Sequence, residues 1–239
     1  MPKSEASAEA APEPRTSRRK RRTRARLLKA ALQLMADRGI EGVAINEITE
    51  EADVGFGTFY NYFDSKEAIY EALVSEVFDD FGAALGHIAE QIDDPAEAFV
   101  ASLRYMLRRA AEEPLWGRFL AHTGFFWPQA IDEGLGQQVI RDLRAAVGAG
   151  HIEDPDLTMT IVAIRGVMLS AIDVQARLSS PAGVERGFAR ALGDDVDQIP
   201  ERAAAVILRL IGIMPQEAKE IANRPLPEVE LPQNPLNNP

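Results

Sequence analysis

Between Val54 and Glu67 the chain reads VGFGTFYNYFDSKE, and these side chains suit contact with a polyanion better than they suit bond-making. Tyr60 and Tyr62 carry hydroxyls that can donate to phosphate oxygens, Thr58 suits a phosphate or a thymine methyl, and Asn61 has the donor and acceptor that match an adenine edge. Lys66 stands at a helix start, where backbone N–H groups also favour a phosphate. Other chemistry has little to build on. The absence of cysteine rules out disulfides and thiolate metal sites. His87, His122 and His151 are far apart and have no carboxylate at metal-ligand spacing, although His122 remains a candidate hydrogen-bond partner for a ligand. No G-x-S-x-G, phosphate-loop, H-E-x-x-H or dinucleotide-binding glycine pattern occurs, and GFGTF neither follows a strand nor carries a phosphate-loop lysine. The expectation is a binding protein rather than an enzyme, with no metal and no cofactor.

The elements that would position these groups are helical. In RTRARLLKAALQLMADRG, starting near Arg22, Leu27, Ala31, Leu34 and Met35 recur at helical spacing, and Gly39 supplies the stop. A shorter helix follows in AINEITEEA with Ile45, Ile48 and Ala52 on one face, then a turn at Asp53-Val54-Gly55, then a third short helix in FGTFYNYF. Two short helices joined by a tight turn make a helix-turn-helix, whose second helix enters the major groove while the first crosses the backbone. Val54, Phe59 and Phe63, with Ile48 and the Leu27/Leu34 face, form the expected core, which leaves Phe56, Thr58, Tyr60, Asn61 and Tyr62 facing outward. Aromatic residues at helical spacing also fill cores, so composition alone leaves both uses open.

Net charge is -11, which taken alone disfavours a nucleic-acid partner. The average hides an asymmetry. Residues 1–66 hold 12 Lys+Arg against 10 Asp+Glu and the remainder 14 against 27, with nine basic residues and no acid between Arg15 and Lys29. Residues 1–20 are expected to be a disordered basic arm that, with Arg22 and Arg24, supplies salt-sensitive attraction and reaches a minor groove.

Beyond Asp64, read as an N-cap with Glu67 as its reciprocal partner, the chain is expected to stay helical: to about residue 91, then 95–112, 115–128, 132–148, 155–179, 182–192 and 198–213. The tail 223–239, with its repeated prolines, should be extended and mobile or laid along the surface. Trp116, Phe119, Thr123, His122 and Phe126, with Tyr105 and Met106 from the preceding helix, suit an apolar chamber for a small molecule, or a plain core. Ile161, Ile164, Met168 and Ala171 form a stripe on a helix apolar on more than one side, which with Val206 and Leu210 suits a subunit interface. Arg165 and Asp173 either orient a polar ligand or pair across helices or subunits. No signal peptide is visible, and charges interrupt the apolar runs before membrane-spanning length, so a soluble cytoplasmic protein with no membrane partner is expected.

The run RLLKAALQLMADRGIEGVAINEITEEADVGFGTFYNYFDSKEAIYEALV resembles, along its whole length, the N-terminal domain of TetR/AcrR-type transcriptional regulators. The G.GTFYNYF.SKE segment is a highly specific signature of that family. The resemblance implies an all-α fold: a helix-turn-helix domain at 21–68 and a helical ligand-binding and dimerisation domain at 69–222. It implies a homodimer, usually a repressor, that binds a palindromic double-stranded DNA operator and is released by a small-molecule effector, here hydrophobic or aromatic. It places Asn46, Phe56, Gly57 and Tyr60 where the family often meets bases, and Thr58, Tyr62 and Lys66 where it holds phosphates. Ala44 and Gly55 stand where the family often caps helices with Ser or Thr, Asp53 replaces a frequent turn glycine, and Phe56 replaces a frequent Lys or Arg. A helical small-molecule binding protein with a vestigial DNA head is the rival reading.

Overall fold

The structure is a computed structural model that describes residues 15–123, 134–148, 156–178 and 198–236. Among these residues every regular element is an α-helix. The head contains α1 (Arg15–Arg38), α2 (Ile45–Glu51) and α3 (Phe56–Phe59). Leu27, Leu28, Ala31, Leu32 and Met35 of α1 are buried against Ile48, Phe59 and Phe63, while Leu34 and Val54 are only partly buried at its margin. The helix stops at Gly39, whose φ of 68° is in the left-handed region and whose N–H donates to Met35 O at 2.9 Å. It begins at Arg15 rather than near Arg22, so 15–20 belong to a helix and not to a disordered arm.

Helix α4 (Lys66–Ala89) links the head to the rest of the molecule and packs on both α1 and α5. Its cap is Ser65 rather than Asp64. Ser65 has extended dihedrals and its hydroxyl accepts from Ala68 N at 3.1 Å, which satisfies an otherwise orphaned first-turn donor. Helix α5 (Pro95–Glu112) matches the expected span, with Asp94 accepting from Ala96 N and Pro95 in the first turn, where its missing N–H costs nothing. It is buried along most of its length and touches α4, α6 (Pro114–Thr123), α7 (Gly134–Gly148), α8 (Leu157–Leu178), α9 (Ile199–Leu210) and α10 (Pro215–Ala222). Helix α10 was not among the expected elements, and the helix expected at 182–192 lies outside the described residues.

The tail is laid along α5, the second of the two expected alternatives. Arg104 Nη1 donates to Arg224 O at 2.8 Å, the Tyr105 hydroxyl to Pro227 O, and Arg109 Nη1 to Pro232 O at 2.7 Å. Proline has no N–H of its own to satisfy but keeps its carbonyl acceptor, so a proline-rich extended segment suits a helix that offers donors. Asn234 and Leu236 are buried, joined by a 3.0 Å bond from Leu236 N to Asn234 Oδ1.

Helix α8 is long and apolar enough to cross a membrane by length and composition only, a test that core helices of soluble proteins also pass, and Arg165, Asp173 and Arg177 interrupt its apolar run. Only part of it is buried within the protomer, because α5, α6 and α9 cover one side and leave the other open.

Candidate nucleic-acid interface and ligand chamber

The short α3 and the turn after it sort the aromatic cluster. Phe59 is fully buried and Phe63 nearly so, whereas Phe56 is 54% exposed and Tyr60 48%. The rings brace one another edge to face, Phe56 on Tyr60 at 5.6 Å and Tyr60 on Phe59 at 5.4 Å between centroids, so the outward pair is anchored by the inward one. A Cβ on Gly57 would meet nothing within 4 Å and no positive φ is involved. Neither the head's packing nor its backbone therefore demands glycine there. Asn46 and Asn61 are exposed, Thr58 and Tyr62 are half-buried, and all lie on α2, α3 or just after it.

The turn that sets α3 against α2 departs from glycine at no visible loss. Asp53 takes φ 49°, Val54 N donates to Thr49 O at 3.0 Å, and Arg26 Nη2 of α1 holds Asp53 through its main-chain oxygen at 2.8 Å and its carboxylate at 3.0 Å. No hydroxyl caps α2 at Ala44, but Glu47 supplies the reciprocal half of a capping box. Its carboxylate accepts from Ala44 N at 2.9 Å and from Arg38 Nη1 at 2.8 Å, and these bonds hold it below the usual carboxylate range. Lys66, in the first turn of α4, lines a shallow hollow of about 450 Å³ with Gly42, Val43, Ala44 and Ile45, beside Glu41 and Glu47.

The two arginines of the expected DNA set separate. Arg22 is exposed, but Arg24 pairs with Glu76 of α4 and lies 5.5 Å over the Phe63 ring. Arg24 thus ties α1 to α4.

In the larger domain the expected chamber residues form a packed aromatic cluster. Trp116, Phe119 and Met106 are fully buried; Phe119 stacks on Phe78 at 5.6 Å, and Trp116 meets Phe78 and Phe81 edge to face. The Tyr105 hydroxyl is turned to the tail. His122 is exposed, near the end of α6, and its ring would stand 3.4 Å from a Cβ at Gly39. Thr123 closes α6, and Phe126 lies outside the described residues. A groove of about 550 Å³ does open between α5, the start of α9 and the tail, but it is lined by Arg104, Arg108, Glu201 and Arg224 and by none of the expected chamber residues.

A polar cluster that sequence reasoning missed lies between α5 and α7. Asp142 is buried; its carboxylate accepts from Gln138 Nε2 at 2.8 Å and from the Ser102 hydroxyl at 3.3 Å. Burial pushes its pKa up from the ordinary 3.8 to about 6, against the lowering effect of the two hydrogen bonds and of Arg141. Gly86 of α4 leaves room for the cluster: a Cβ there would come 3.0 Å from Gln138 Oε1. The signal was present in the sequence, since Asp142 shares the inner face of α7 with Leu135, Val139 and Leu143. An acid on an apolar helix face needs a partner.

On α8 the expected interface stripe turns inward. Ile164, Met168 and Ala171 are buried in the protomer's own core and Ile161 is half-buried. The outward side of α8 carries Met159, 57% exposed, and Val162, 54% exposed, while Val206 and Leu210 on α9 are exposed as expected. Arg165 is exposed, and Asp173 pairs with Arg177 one turn on, at 2.7 Å.

Comparison with known proteins agrees with this division. Residues 27–73 match the family model for bacterial regulatory proteins of the tetR family, and residues 94–224 match the tetracyclin repressor-like C-terminal domain, more than half of the chain. The crystal structure of RolR in complex with the ligand resorcinol is 36% identical, with a TM-score of 0.61, covering 90% of this chain and 100% of that one. The HTH-type transcriptional repressor DhaR of Mycobacterium sp. (strain GP1) is 35% identical over 72 residues, 30% of this chain and 36% of that protein. The HTH-type transcriptional regulator TcmR of Streptomyces glaucescens is 32% identical over 100 residues, 42% of this chain and 44% of that protein. The match thus spans less than half the length of these two relatives. With a helix-turn-helix head, a wholly helical larger domain and both family models matched in order, the chain belongs to the TetR family of DNA-binding transcriptional regulators.

Proposed function

We propose that the protein is a homodimeric cytoplasmic repressor that binds a palindromic operator and is released by a small hydroxylated aromatic effector. The observation that carries the DNA half is the outward Phe56-Gly57-Tyr60 face, rigidly backed by Phe59 and open at Gly57. Asn46 and Tyr60 would meet bases, Phe56 a thymine methyl, and Thr58, Tyr62 and Lys66 phosphates. The effector half rests on Asp142. A buried carboxylate with the neutral donors Ser102 and Gln138 and a nearby Arg141 is suited to accept from a ligand hydroxyl. The 36% identical RolR, whose crystal structure holds resorcinol, supports the same class of molecule.

Release follows from differential affinity for two arrangements of the heads. An effector bound beside α4 and α5 would act on the head through two sets of contacts. Glu76 of α4 holds Arg24 of α1, and Arg118 Nε of α6 holds Asp37 of α1 at 2.9 Å. The outward apolar side of α8, with Val206 and Leu210, suits a second copy of the chain, and two heads related by a twofold axis read two half-sites one helical turn apart or a multiple of it.

The test is selection of bound duplexes from a randomised library at about 150 mM salt, with the wild type and with Tyr60→Ala/Lys66→Ala. The expected result is a palindrome enriched by the wild type alone and lost when resorcinol is added. Enrichment of no sequence by the wild type sinks the operator reading, and a palindrome indifferent to resorcinol and to related phenols sinks the effector class.

A further inference from the structure

Helix α1 starts well before the head it belongs to. Its first fully buried residue is Leu27, yet it is helical from Arg15, and residues 16–22 are all exposed. At 1.5 Å per residue, the stretch from Arg15 to Leu27 reaches about 18 Å past the packed head. It holds no acidic residue. Arg18 and Arg22, Arg19 and Arg22, and Arg22 and Arg26 stand three or four apart, so like charges face each other turn after turn and disfavour the helix. A helix exposed all round and charged with one sign calls for an outside partner of the other sign.

The helical repeat sorts the cations into two sets. Arg24 faces inward, to Glu76 and the Phe63 ring. Arg18, Arg19, Arg22, Arg26 and Lys29 fall on the opposite side at about 100° per residue. Arg26 fixes where that side looks, because its guanidinium donates to the oxygens of Asp53 in the turn between α2 and α3. Arg22, Arg19 and Arg18 therefore continue outward, turn by turn, on the side of the helix-turn-helix turn. The helical form also alters the expected mode of contact. A helix with side chains is about 10–12 Å across and a minor groove only about 6 Å wide, so this segment lies along phosphates and does not thread the groove.

We propose that this side of α1 is a second DNA-contact surface, in which Arg18, Arg19 and Arg22 lie against backbone phosphates flanking the bases read by the head, and that the duplex holds the first turns of α1 helical. The inference rests on the DNA-reading function proposed above and extends the site beyond the helix-turn-helix. Phosphate contacts carry no sequence information, so this surface adds affinity and salt dependence without changing the preferred operator.

The experiment compares the wild type with Arg18→Ala/Arg19→Ala/Arg22→Ala on the selected operator, from about 50 to about 300 mM salt. Each phosphate contact contributes about 0.9 to the slope of log affinity against log salt, so three lost contacts flatten it by about 2.7 per head, with the ratio of operator to random DNA unchanged. Trimming the duplex to the bare operator should flatten the wild-type slope in the same way and needs no variant. Amide exchange across residues 15–24 should slow when full-length duplex is added to the wild type. An unchanged slope in the triple variant, or exchange equally slow without DNA, overturns the contact or its role in ordering the helix, respectively. A wild type with no operator preference would instead overturn the DNA reading itself, which separates the two failures.

Discussion

Asp142 is the residue whose chemistry stands furthest from its surroundings, an acid among apolar neighbours with Ser102 and Gln138 as its neutral donors. Its folded pKa is raised from 3.8 to about 6, so its contribution to stability is full below about pH 4 and is lost as pH rises through about 6. Asp142→Asn should flatten this part of the profile. The wild type should lose melting temperature between pH 5 and pH 7.5 relative to the variant, as read by thermal denaturation at both pH values. An equal change in both proteins would mean that the carboxylate is not the titrating group. If Asp142 accepts from an effector hydroxyl, the same variant should also weaken release of DNA by a phenol while leaving operator affinity unchanged. Gly57 differs in having no neighbours: the fold gives it room for a side chain, and in the DNA reading proposed above an approaching duplex takes that room.

At the scale of elements, α5 and the tail form one unit. Arg104, Tyr105 and Arg109 are buried or nearly so, and their acceptors are main-chain oxygens of Arg224, Pro227 and Pro232. Arg109 also lies 4.7 Å over the Phe81 ring and 5.2 Å over Trp116, and burial lowers its pKa despite Glu113. Removing residues 225–239 leaves two of these donors facing lost acceptors. At about 1–3 kcal/mol for each of these two groups, truncation should cost about 2–6 kcal/mol. That corresponds to a fall of about 4–24 °C in melting temperature for a chain of this size. A truncated protein that melts with the full chain would show the tail to be an ornament. Composition left the tail either mobile or laid along the surface, because five prolines exclude regular structure. It does not report that a helix nearby presents three donors in register, which is a property of α5 and the tail together.

For the whole molecule, the exposed apolar side of α8 and α9 is the surface we propose for assembly. Met159, Val162, Val206 and Leu210 leave an apolar surface that water penalises unless another chain covers it. Met159→Glu/Val162→Glu should halve the mass seen by sedimentation equilibrium and abolish cooperative operator binding, with little change in the protomer's helical content. Persistence of the wild-type mass would place the interface elsewhere. The sequence by itself determined the helix-turn-helix head, because periodicity, the Gly39 stop and the GTFYNYF spacing are local signals that read directly into helices and a turn. It determined the all-α class and the span of α5 for the same reason. Only the tertiary structure decided which side of α8 is inner, that Trp116 and Phe119 pack on Phe78 and Phe81, that Arg24 of α1 is tied to Glu76 of α4 while Arg22 faces outward, and that Asp142 meets Ser102. Those outcomes depend on which helix faces arrive opposite one another, and contacts between residues far apart in the chain leave no local periodicity to read.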